Sequence, residues 1–280
     1  MRKTILITGS SSGIGRACAK LFLEKDWNVV ATMRDPAKSE GLNNSANLLI
    51  SRLDVQDTSS IQQAVTEASD RFGGIDVLLN NAGYGQYGVF EAVPREKVFE
   101  QFEVNVFGPM EVVRAVLPLM RAARNGVIIN MSSGAGIFTL PMISLYSASK
   151  FALEGFSEAL SFELLPLGIA VKIVEPHGGV NATHFNARAS ASTAASDALA
   201  DYQPFIARCA EAFSRMSAAR LIDSMDVAGV VYEAATDGTD RLRYLVGNDT
   251  RGFIKARAEL PDQEYIAFLR DHFRDALRKS

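Results

Sequence analysis

The stretch Thr-Gly-Ser-Ser-Ser-Gly-Ile-Gly, residues 8–15, decides the fold. It follows a short apolar run at 4–7 and precedes residues 14–22, whose apolar side chains recur with helical spacing. Glycines let the backbone turn tightly, and the first N–H groups of a helix attract an anion. The sequence therefore predicts a strand, a tight turn and a helix, with an anion site where the helix begins.

The same alternation of strand and helix continues along the chain. Asp57 or Thr58 is placed to cap a helix, and long helical stretches separate the later apolar runs. Strands that alternate with helices form a parallel sheet covered on both faces. We predict an α/β fold, a single Rossmann-type doubly wound domain over 1–280. Its seven strands are expected at 4–7, 29–31, 48–53, 75–79, 127–131, 170–175 and 244–246.

Two segments depart from this rhythm. Residues 181–225 are rich in Ala and Ser and interrupt the pattern between the sixth and seventh strands, which predicts a helical substrate lobe. Residues 250–280 form a C-terminal extension, with a helix expected at 261–279.

Composition narrows the class of protein. The chain has 280 residues and a net charge of -3, without a block of basic residues, which argues against nucleic acid and anionic membranes as partners. No apolar run reaches the roughly 18 residues of a membrane span, and the run at 4–7 is too short for a signal peptide. Cys18 and Cys209 are expected to be reduced thiols, the three histidines do not suggest a metal site, and we expect a cytoplasmic protein.

The end of the second strand indicates the cofactor. In a dinucleotide-binding unit, an acidic residue there holds the ribose hydroxyls of NAD, whereas an arginine can bind the 2′-phosphate of NADP. Met33 occupies the expected acidic position and Arg34 follows it. This favours NADP(H), while Asp35 leaves NAD(H) as the alternative.

Several motifs occur in the order typical of one family. After the glycine turn come Asp54, residues 80–83 with the sequence Asn-Asn-Ala-Gly, Asn105, Ser133, residues 146–150 with the sequence Tyr-Ser-Ala-Ser-Lys, and Pro176. Over nearly its whole length the chain resembles the short-chain dehydrogenase/reductase family. Its C-terminal extension is weakly similar to the hydroxysteroid and retinol dehydrogenase side, a feature shared with carbonyl reductases.

The resemblance implies a catalytic group of four residues. Asn105 would hold a water, Ser133 the substrate oxygen, Tyr146 would be the acid or base, and Lys150 would bind the nicotinamide ribose. Physical chemistry supports part of this, because residues i and i+4 share a helix face and an ammonium lowers a tyrosine pKa. Neighbours on a strand point to opposite faces, so only one of two adjacent serines can meet Tyr146. The family spacing favours Ser133, with Ser132 as runner-up.

The resemblance also implies the cofactor contacts. One departure is that His177 separates Pro176 from the following glycines, so the assignment of the nicotinamide contacts stays open. The expected cofactor-binding residues are Gly9, Ser11, Gly13, Ile14, Gly15, Arg34, Asp54, Val55, Asn81, Ala82, Gly83, Tyr146, Lys150, Pro176, Gly178, Gly179, Val180 and Thr183.

These features together predict an NADP(H)-dependent carbonyl reductase or alcohol dehydrogenase that forms a homodimer or homotetramer. The alternatives are a 3-oxoacyl or hydroxysteroid-type reductase with the same site, or a non-catalytic NADP-binding sensor. The substrate is expected to be an apolar ketone or secondary alcohol. The expected pocket wall is Phe138, Leu140, Met142, Phe185, Phe205, Phe213 and Met216.

Overall fold

Seven strands of the described chain form one parallel sheet. The computed structural model describes residues 2–42, 45–177, 197–217, 222–249 and 251–278. The strands lie side by side in the order β3-β2-β1-β4-β5-β6-β7, and every neighbouring pair is parallel. The predicted fold class is therefore confirmed. The strands are β1 Thr4–Ile7, β2 Asn28–Met33, β3 Leu48–Arg52, β4 Val77–Asn80, β5 Gly126–Met131, β6 Ile169–Pro176 and β7 Arg243–Val246.

Helices connect the strands and cover both faces of the sheet. Asp57 caps α2, since its carboxylate accepts hydrogen bonds from the N–H groups of Ser59 and Ser60. The helices are α1 Gly13–Glu24, α2 Thr58–Phe72, α3 Arg95–Phe102, α4 Gly108–Ala123, α5 Ser144–Leu164, α6 Gln203–Ser217, α7 Ser224–Thr236, α8 Phe253–Glu259 and α9 Asp262–His272. A π-helical segment, Glu103–Phe107, joins α3 to α4.

The core lies on both sides of the sheet because successive strand residues point to opposite faces. Ile5 and Ile7 of β1 pack with Phe22 of α1 on one face. Leu6, between them, packs with Ile61 of α2 on the other face. Burial on both faces explains why the strands read as continuous apolar runs rather than as alternating patterns.

Buried polar side chains fix the carboxyl-terminal edge of the sheet. The Thr8 hydroxyl accepts hydrogen bonds from the N–H groups of Asn81 and Ala82, each at 3.0 Å. Asn80 donates to Asn130 Oδ1 at 2.9 Å, and Asn130 donates to the Ser157 hydroxyl at 2.8 Å. These bonds tie the ends of β1, β4 and β5 to one another and to α5, so the loops that follow these strands have defined positions.

The C-terminal extension differs from the prediction of one helix over 261–279. Two helices form instead, and Pro261 stands at the N-cap of α9, which ends at His272. Proline has no N–H to continue a preceding helix, so α8 stops before it. Both helices pack against the segment after β5, with the rings of Phe138 and Phe253 5.2 Å apart. No helix in the described ranges is long and apolar enough to cross a bilayer.

Candidate active site

A cavity of about 950 Å³ opens at the carboxyl-terminal edge of the sheet, where ligands bind in doubly wound folds. It extends from the glycine turn after β1 to the segments that follow β5 and β6. Most of the predicted site residues meet here, although they come from widely separated parts of the chain. Those that line it are Gly9, Ser11, Gly13, Ile14, Arg34, Asp54, Val55, Asn81, Ala82, Gly83, Ser133, Tyr146, Lys150 and Pro176.

The glycine turn leaves the start of α1 open to the cavity. Gly9 and Gly13 have φ of +74° and +54°, a conformation that side chains disfavour. Ser12 at the N-cap makes no side-chain cap bond, and the first turn of α1 carries no acidic residue. The N–H groups at this end are therefore available to an anionic ligand group.

Gly15 contributes by close packing, not by lining the cavity. A Cβ atom at this position would lie 2.4 Å from the Gly9 carbonyl oxygen and 2.5 Å from Asn81 Nδ2. Asn81 Nδ2 itself donates to the carbonyl oxygens of Thr8 and Gly9 at 2.9 and 3.1 Å. The absence of a side chain at Gly15 is thus what allows Asn81 to hold the turn.

Arg34 and Asp35 are neighbours in sequence, but their side chains have different surroundings. Arg34 is exposed and lines the cavity, and within the described structure it makes no hydrogen bond or ion pair. Asp35 caps the short 3-10 helix Pro36–Lys38 by accepting from the Ala37 N–H at 3.1 Å, and it does not line the cavity. Of the two, only Arg34 lines the cavity.

Asp54 and Val55 follow β3 and form another part of the wall. The Asp54 carboxylate accepts from the Gln56 N–H at 3.1 Å, while the Asp54 N–H donates to the Ser60 hydroxyl at 3.0 Å. These local bonds hold the backbone of Asp54 and Val55 beside the cavity.

Ser133 and Tyr146 meet at the far end of the cavity from the glycine turn. Ser133 lies just after β5, and Tyr146 is in the first turn of α5; their hydroxyls are hydrogen-bonded to one another. The Ser133 oxygen also accepts from the Ala135 N–H at 3.2 Å. Ser132 is buried nearby but its hydroxyl faces Gly136, where a Cβ atom would approach it to 2.7 Å. Of these two serines, only Ser133 is hydrogen-bonded to Tyr146.

Lys150 lies one helical turn after Tyr146 on the same face of α5. Its Nζ donates to the Met131 carbonyl oxygen at 2.7 Å and lies 5.8 Å from the centroid of the Tyr146 ring. Burial lowers the pKa of Lys150 to about 8, although the negative charge of Glu154 opposes this change. The lysine is thus poised to lose its charge in the mildly alkaline range.

The Tyr146 pKa corrects one expectation from the sequence. The ammonium was predicted to lower it, but burial raises the pKa of Tyr146 to about 12, and the hydrogen bond with Ser133 opposes only part of this effect. Burial removes water from around the phenolate, and this loss of solvation destabilises the charged form more than the hydrogen bond with Ser133 stabilises it. Tyr146 is consequently protonated at neutral pH and suited to donating a proton.

Two buried carboxyl groups lie behind Lys150. Glu154 is on the next turn of α5, and Glu175 is on β6; Arg243 Nε lies 3.1 Å from Glu154 Oε2 and 3.6 Å from Glu175 Oε1. Burial, followed by the charge of Glu154, raises the pKa of Glu175 to about 8. The negative charge of Glu154 supports the charged form of Lys150.

Asn105 does not line the cavity. It lies in the π-helical segment and is buried. Its Oδ1 accepts from the Tyr84 N–H at 3.1 Å, and its Nδ2 donates to the Tyr84 carbonyl at 2.9 Å and to the Ser149 hydroxyl at 3.2 Å. With both polar atoms engaged, the side chain fixes the loop after β4 against α5, and its role in holding a water stays a prediction.

Other expected residues fall elsewhere. Met142, Phe205 and Phe213 were predicted to form the substrate wall, but they pack with Cys209, Ala212, Phe273 and Ala276 between α6 and the C-terminal extension. Among the described residues of the expected wall, only Phe138 and Leu140 line the cavity. Gly178, Gly179, Val180, Thr183 and Phe185 lie outside the described residues, as does the side chain of Met216.

Some cavity residues were not predicted. Tyr84, Gln86 and Tyr87 follow directly after the Asn-Ala-Gly motif, so their position beside that motif was the available signal. The Tyr87 ring lies 6.1 Å from that of Tyr146. His177 also lines the cavity. The sequence marked it only as a departure from the family pattern.

The arrangement can stabilise and protonate an oxygen atom. A carbonyl oxygen placed against Ser133 and Tyr146 would meet two hydroxyl donors where negative charge develops. Tyr146 is protonated and Lys150 carries a positive charge one turn away, so proton transfer to that oxygen is favoured. The site is suited to interconverting a carbonyl group and an alcohol.

The sequence of this chain is similar to those of known oxidoreductases. The family model described as short chain dehydrogenase matches residues 3–194. An uncharacterized oxidoreductase of Schizosaccharomyces pombe is 38% identical over 84% of this chain and 97% of its own length. Two further relatives match over shorter lengths. A 3-ketodihydrosphingosine reductase of Bacteroides thetaiotaomicron is 44% identical over 61% of this chain and 62% of its own length. Human retinol dehydrogenase 8 is 40% identical over 62% of this chain and 58% of its own length.

Solved structures share the fold. A short-chain dehydrogenase from Streptomyces avermitilis is 32% identical, with a TM-score of 0.77 over 95% of this chain and 97% of that one. One from Burkholderia phymatum, in complex with NAD, is 26% identical, with a TM-score of 0.75 over 92% and 93% of the two chains. Another, from Burkholderia cenocepacia and in complex with NADP, is 23% identical, with a TM-score of 0.74 over 96% and 97%, and supports the fold alone.

Proposed function

The chain belongs to the short-chain dehydrogenase family of oxidoreductases, which act on CH–OH and C=O groups, and on that premise we propose that it is an NADP(H)-dependent carbonyl reductase. The observation that carries the proposal is that Ser133, Tyr146 and Lys150 occupy one end of the cavity that begins at the glycine turn. When bound, the nicotinamide supplies the hydride, and Tyr146 supplies the proton.

The preference for NADP(H) rests on Arg34. Its guanidinium faces the cavity without a partner in the described structure, whereas the Asp35 carboxylate is occupied by Ala37. Met33, at the end of β2, offers no charge to a ribose. A guanidinium can bind a phosphate through two parallel hydrogen bonds, so this corner of the cavity suits the 2′-phosphate.

The proton donor favours the direction of reduction. With the pKa of Tyr146 at about 12, the hydroxyl carries its proton at neutral pH, as reduction of a carbonyl requires. Oxidation of an alcohol needs the opposite protonation state. This protonation state is the one that the proposed carbonyl reduction uses.

The substrate in this proposal is a ketone with an apolar body. Met131, Ala135, Phe138, Leu140 and Ile143 contribute apolar surface near Tyr146. The names of two relatives, a 3-ketodihydrosphingosine reductase and a retinol dehydrogenase, indicate that a keto group and an alcohol are both within the range of this family. A 3-oxoacyl or hydroxysteroid-type ketone would use the same site residues.

The cofactor proposal is tested by titrating the purified protein with NADPH and NADH while following nicotinamide fluorescence. We expect NADPH to bind more tightly, and Arg34→Ala to weaken NADPH binding by about 10- to 150-fold without changing NADH binding, in keeping with a charged hydrogen bond of about 1.5–3 kcal/mol. Arg121→Ala, an exposed arginine in the last turn of α4, is the matched control. Equal affinity for the two cofactors would assign the protein to NAD(H).

Turnover is tested with Tyr146→Phe. This variant should bind NADPH like the wild type and lose about 10²–10⁴-fold in the rate of ketone reduction, because it lacks the proton donor. Tyr232→Phe, which changes a ring packed against Phe22 and Trp27, is the control. A wild-type protein that binds NADPH but reduces no ketone, with no effect of Tyr146→Phe, would instead favour a cofactor-binding sensor.

A homo-oligomer in the cytoplasm is part of the same proposal. Ala148, Phe151, Gly155 and Phe162 form an exposed stripe along one face of α5. Phe151 and Phe162 are 39% and 72% exposed, which is unusual for a helix that is otherwise part of the core. A second copy of the chain would cover this stripe.

A further inference from the structure

His177 is a buried histidine that the proposed chemistry does not use. It immediately follows β6, and only 8% of its surface is exposed. It lines the cavity beside the segment that carries Ser133. Its Nε2 atom is buried and has no hydrogen-bond partner in the part of the chain that the structure describes. A buried polar atom without a partner costs free energy, so this nitrogen calls for an explanation.

The orientation of the ring is fixed by β7. His177 Nδ1 lies 2.7 Å from the Val246 carbonyl oxygen, and the His177 N–H donates to the same oxygen at 3.0 Å. A carbonyl oxygen only accepts, so Nδ1 carries the hydrogen. In the neutral ring, Nε2 is then a hydrogen-bond acceptor.

Two glycines make room for this ring. A Cβ atom at Gly134, next to Ser133, would lie 2.8 Å from His177 Cβ. A Cβ atom at Gly247, next to Val246, would lie 3.0 Å from His177 Nδ1 and 2.8 Å from its carbonyl oxygen. The loops after β5 and β7 therefore form a slot that holds the histidine in one place. Such a fixed acceptor in a cavity wall is a feature of a binding site.

We propose that His177 is a specificity-determining residue, whose Nε2 accepts a hydrogen bond from an N–H or O–H group of the ligand bound beside Ser133. The proposal rests on the proposed function, which places a nicotinamide and a ketone in this part of the cavity. Two donors have the required chemistry: the carboxamide N–H of the nicotinamide, and a hydroxyl or amine on the substrate near its keto group. In either case the site rejects an analogue that lacks the donor, because Nε2 would stay buried without a partner.

Two substitutions separate the roles of the two ring nitrogens. In His177→Asn, the asparagine amide lies near the position of Nδ1 and can still donate to the Val246 carbonyl oxygen, but the variant has no group at the position of Nε2. His177→Gln places its amide near the position of Nε2 and gives up the bond to Val246. His272→Asn, at an exposed histidine in α9, is the matched control. Unfolding temperatures without ligand show whether each variant is folded, and we expect His177→Asn to match the wild type.

The first arm tests the cofactor as the source of the donor. Calorimetric titration compares NADP+ with its 3-acetylpyridine analogue, which keeps the carbonyl and lacks the amide N–H. If the carboxamide is the donor, the wild type and His177→Gln prefer NADP+, and His177→Asn reduces that preference by about 3- to 10-fold, as expected for one hydrogen bond.

The second arm tests the substrate. The protein saturated with NADP+ cannot reduce a ketone, so binding of 2-hydroxyacetophenone and acetophenone can be compared without turnover. If the substrate is the donor, the wild type binds the hydroxyketone more tightly, and His177→Asn loses this preference while cofactor binding is unchanged.

The proposal is overturned if the wild type shows neither preference, or if His177→Asn retains whichever preference the wild type shows. These outcomes differ from failure of the proposed function, in which the wild type binds no nicotinamide cofactor in the first arm. A loss of preference in the His272→Asn control would likewise contradict the assignment to His177.

Discussion

At the scale of single residues, the effect of adding a methyl group to a glycine depends on the space around its Cα atom. Gly15 has no side chain, and the Gly9 carbonyl and the Asn81 amide occupy the space where one would be. Gly229, in the middle of α7, has nothing within 4 Å of the corresponding position. The same substitution should therefore have opposite consequences at these two positions.

We expect Gly15→Ala to weaken NADPH binding by at least about 10-fold and to lower the free energy of unfolding by about 1–3 kcal/mol, because the turn must move to admit the methyl group. Gly229→Ala should raise the free energy of unfolding by about 0.5–1 kcal/mol, since alanine is favoured in an open helix interior. Urea denaturation and cofactor titration measure both effects. Equal changes in the two variants would argue against the packing role of Gly15.

The pKa of Lys150 predicts how the rate of reduction depends on pH. The lysine loses its positive charge as the pH rises through about 8, whereas Tyr146, with a pKa of about 12, keeps its proton. The rate constant kcat should thus be level below pH 7 and fall above about pH 8. A profile from pH 6 to 10 measures this decline. In Lys150→Arg, whose charge persists, the relative decline should be absent, and a wild-type rate that stays level to pH 10 would contradict the assignment.

At the scale of secondary-structure elements, one buried ion pair ties the sheet to a helix. Lys172 on β6 is fully buried and donates to Asp237, the residue that follows α7. The Tyr244 hydroxyl of β7 donates to the same carboxylate. These two hydrogen bonds hold the pKa of Asp237 well below its usual range, even though burial acts in the opposite direction. Asp237 thus joins β6, β7 and α7 at a point remote from the glycine turn.

Removing the charge of Asp237 leaves the Lys172 ammonium buried without its counter-ion. We expect Asp237→Asn to lower the free energy of unfolding by about 3–5 kcal/mol, as for other broken buried pairs. Glu233→Gln is the control, because its ion pair with Arg241 is more than half exposed and should contribute less than about 1 kcal/mol. Chemical denaturation at pH 7 measures both variants. A loss no larger in Asp237→Asn than in Glu233→Gln would show that the buried pair is not important for stability.

At the scale of the whole molecule, the two faces of α5 have different surroundings. Tyr146 and Lys150 face the cavity, whereas Phe151 and Phe162 face outward. One helix would thus present the catalytic side chains on one face and a contact surface on the other. Contact between two copies along α5 would help to hold Tyr146 in place.

We expect the wild type to have the mass of a dimer or tetramer by light scattering after size-exclusion chromatography. Phe162→Glu should shift it to a smaller species, because a charge would be buried in the contact. Phe90→Glu, which changes a phenylalanine of similar exposure away from α5, should keep the wild-type mass. A monomeric wild type would remove the oligomer from the proposal.

Most of the fold could be predicted from the sequence because the patterns that indicate strands, helices and turns are local. Strand and helix periods, the glycine turn and the Asp57 cap depend on residues close in sequence. Each strand lies within two residues of its predicted bounds, and Asp57 is the N-cap of α2. The i, i+4 spacing also put Tyr146 and Lys150 on one helix face without any knowledge of the rest of the chain. The C-terminal extension was predicted less well, since the periodic pattern did not show that α8 would form before Pro261.

By itself, the sequence thus determined the parallel sheet, the edge at which its loops meet, and the residue types gathered there. Only the tertiary structure decided that Arg34 lines the cavity while Asp35 caps a turn, and that Asn105 is hydrogen-bonded to Tyr84. It also decided that His177 Nε2 has no hydrogen-bond partner among the residues that the structure describes. It also decided that burial raises the pKa of Tyr146. The physical reason is that side-chain direction, solvation and charge proximity depend on contacts between distant segments, whereas propensity and periodicity depend only on neighbours along the chain.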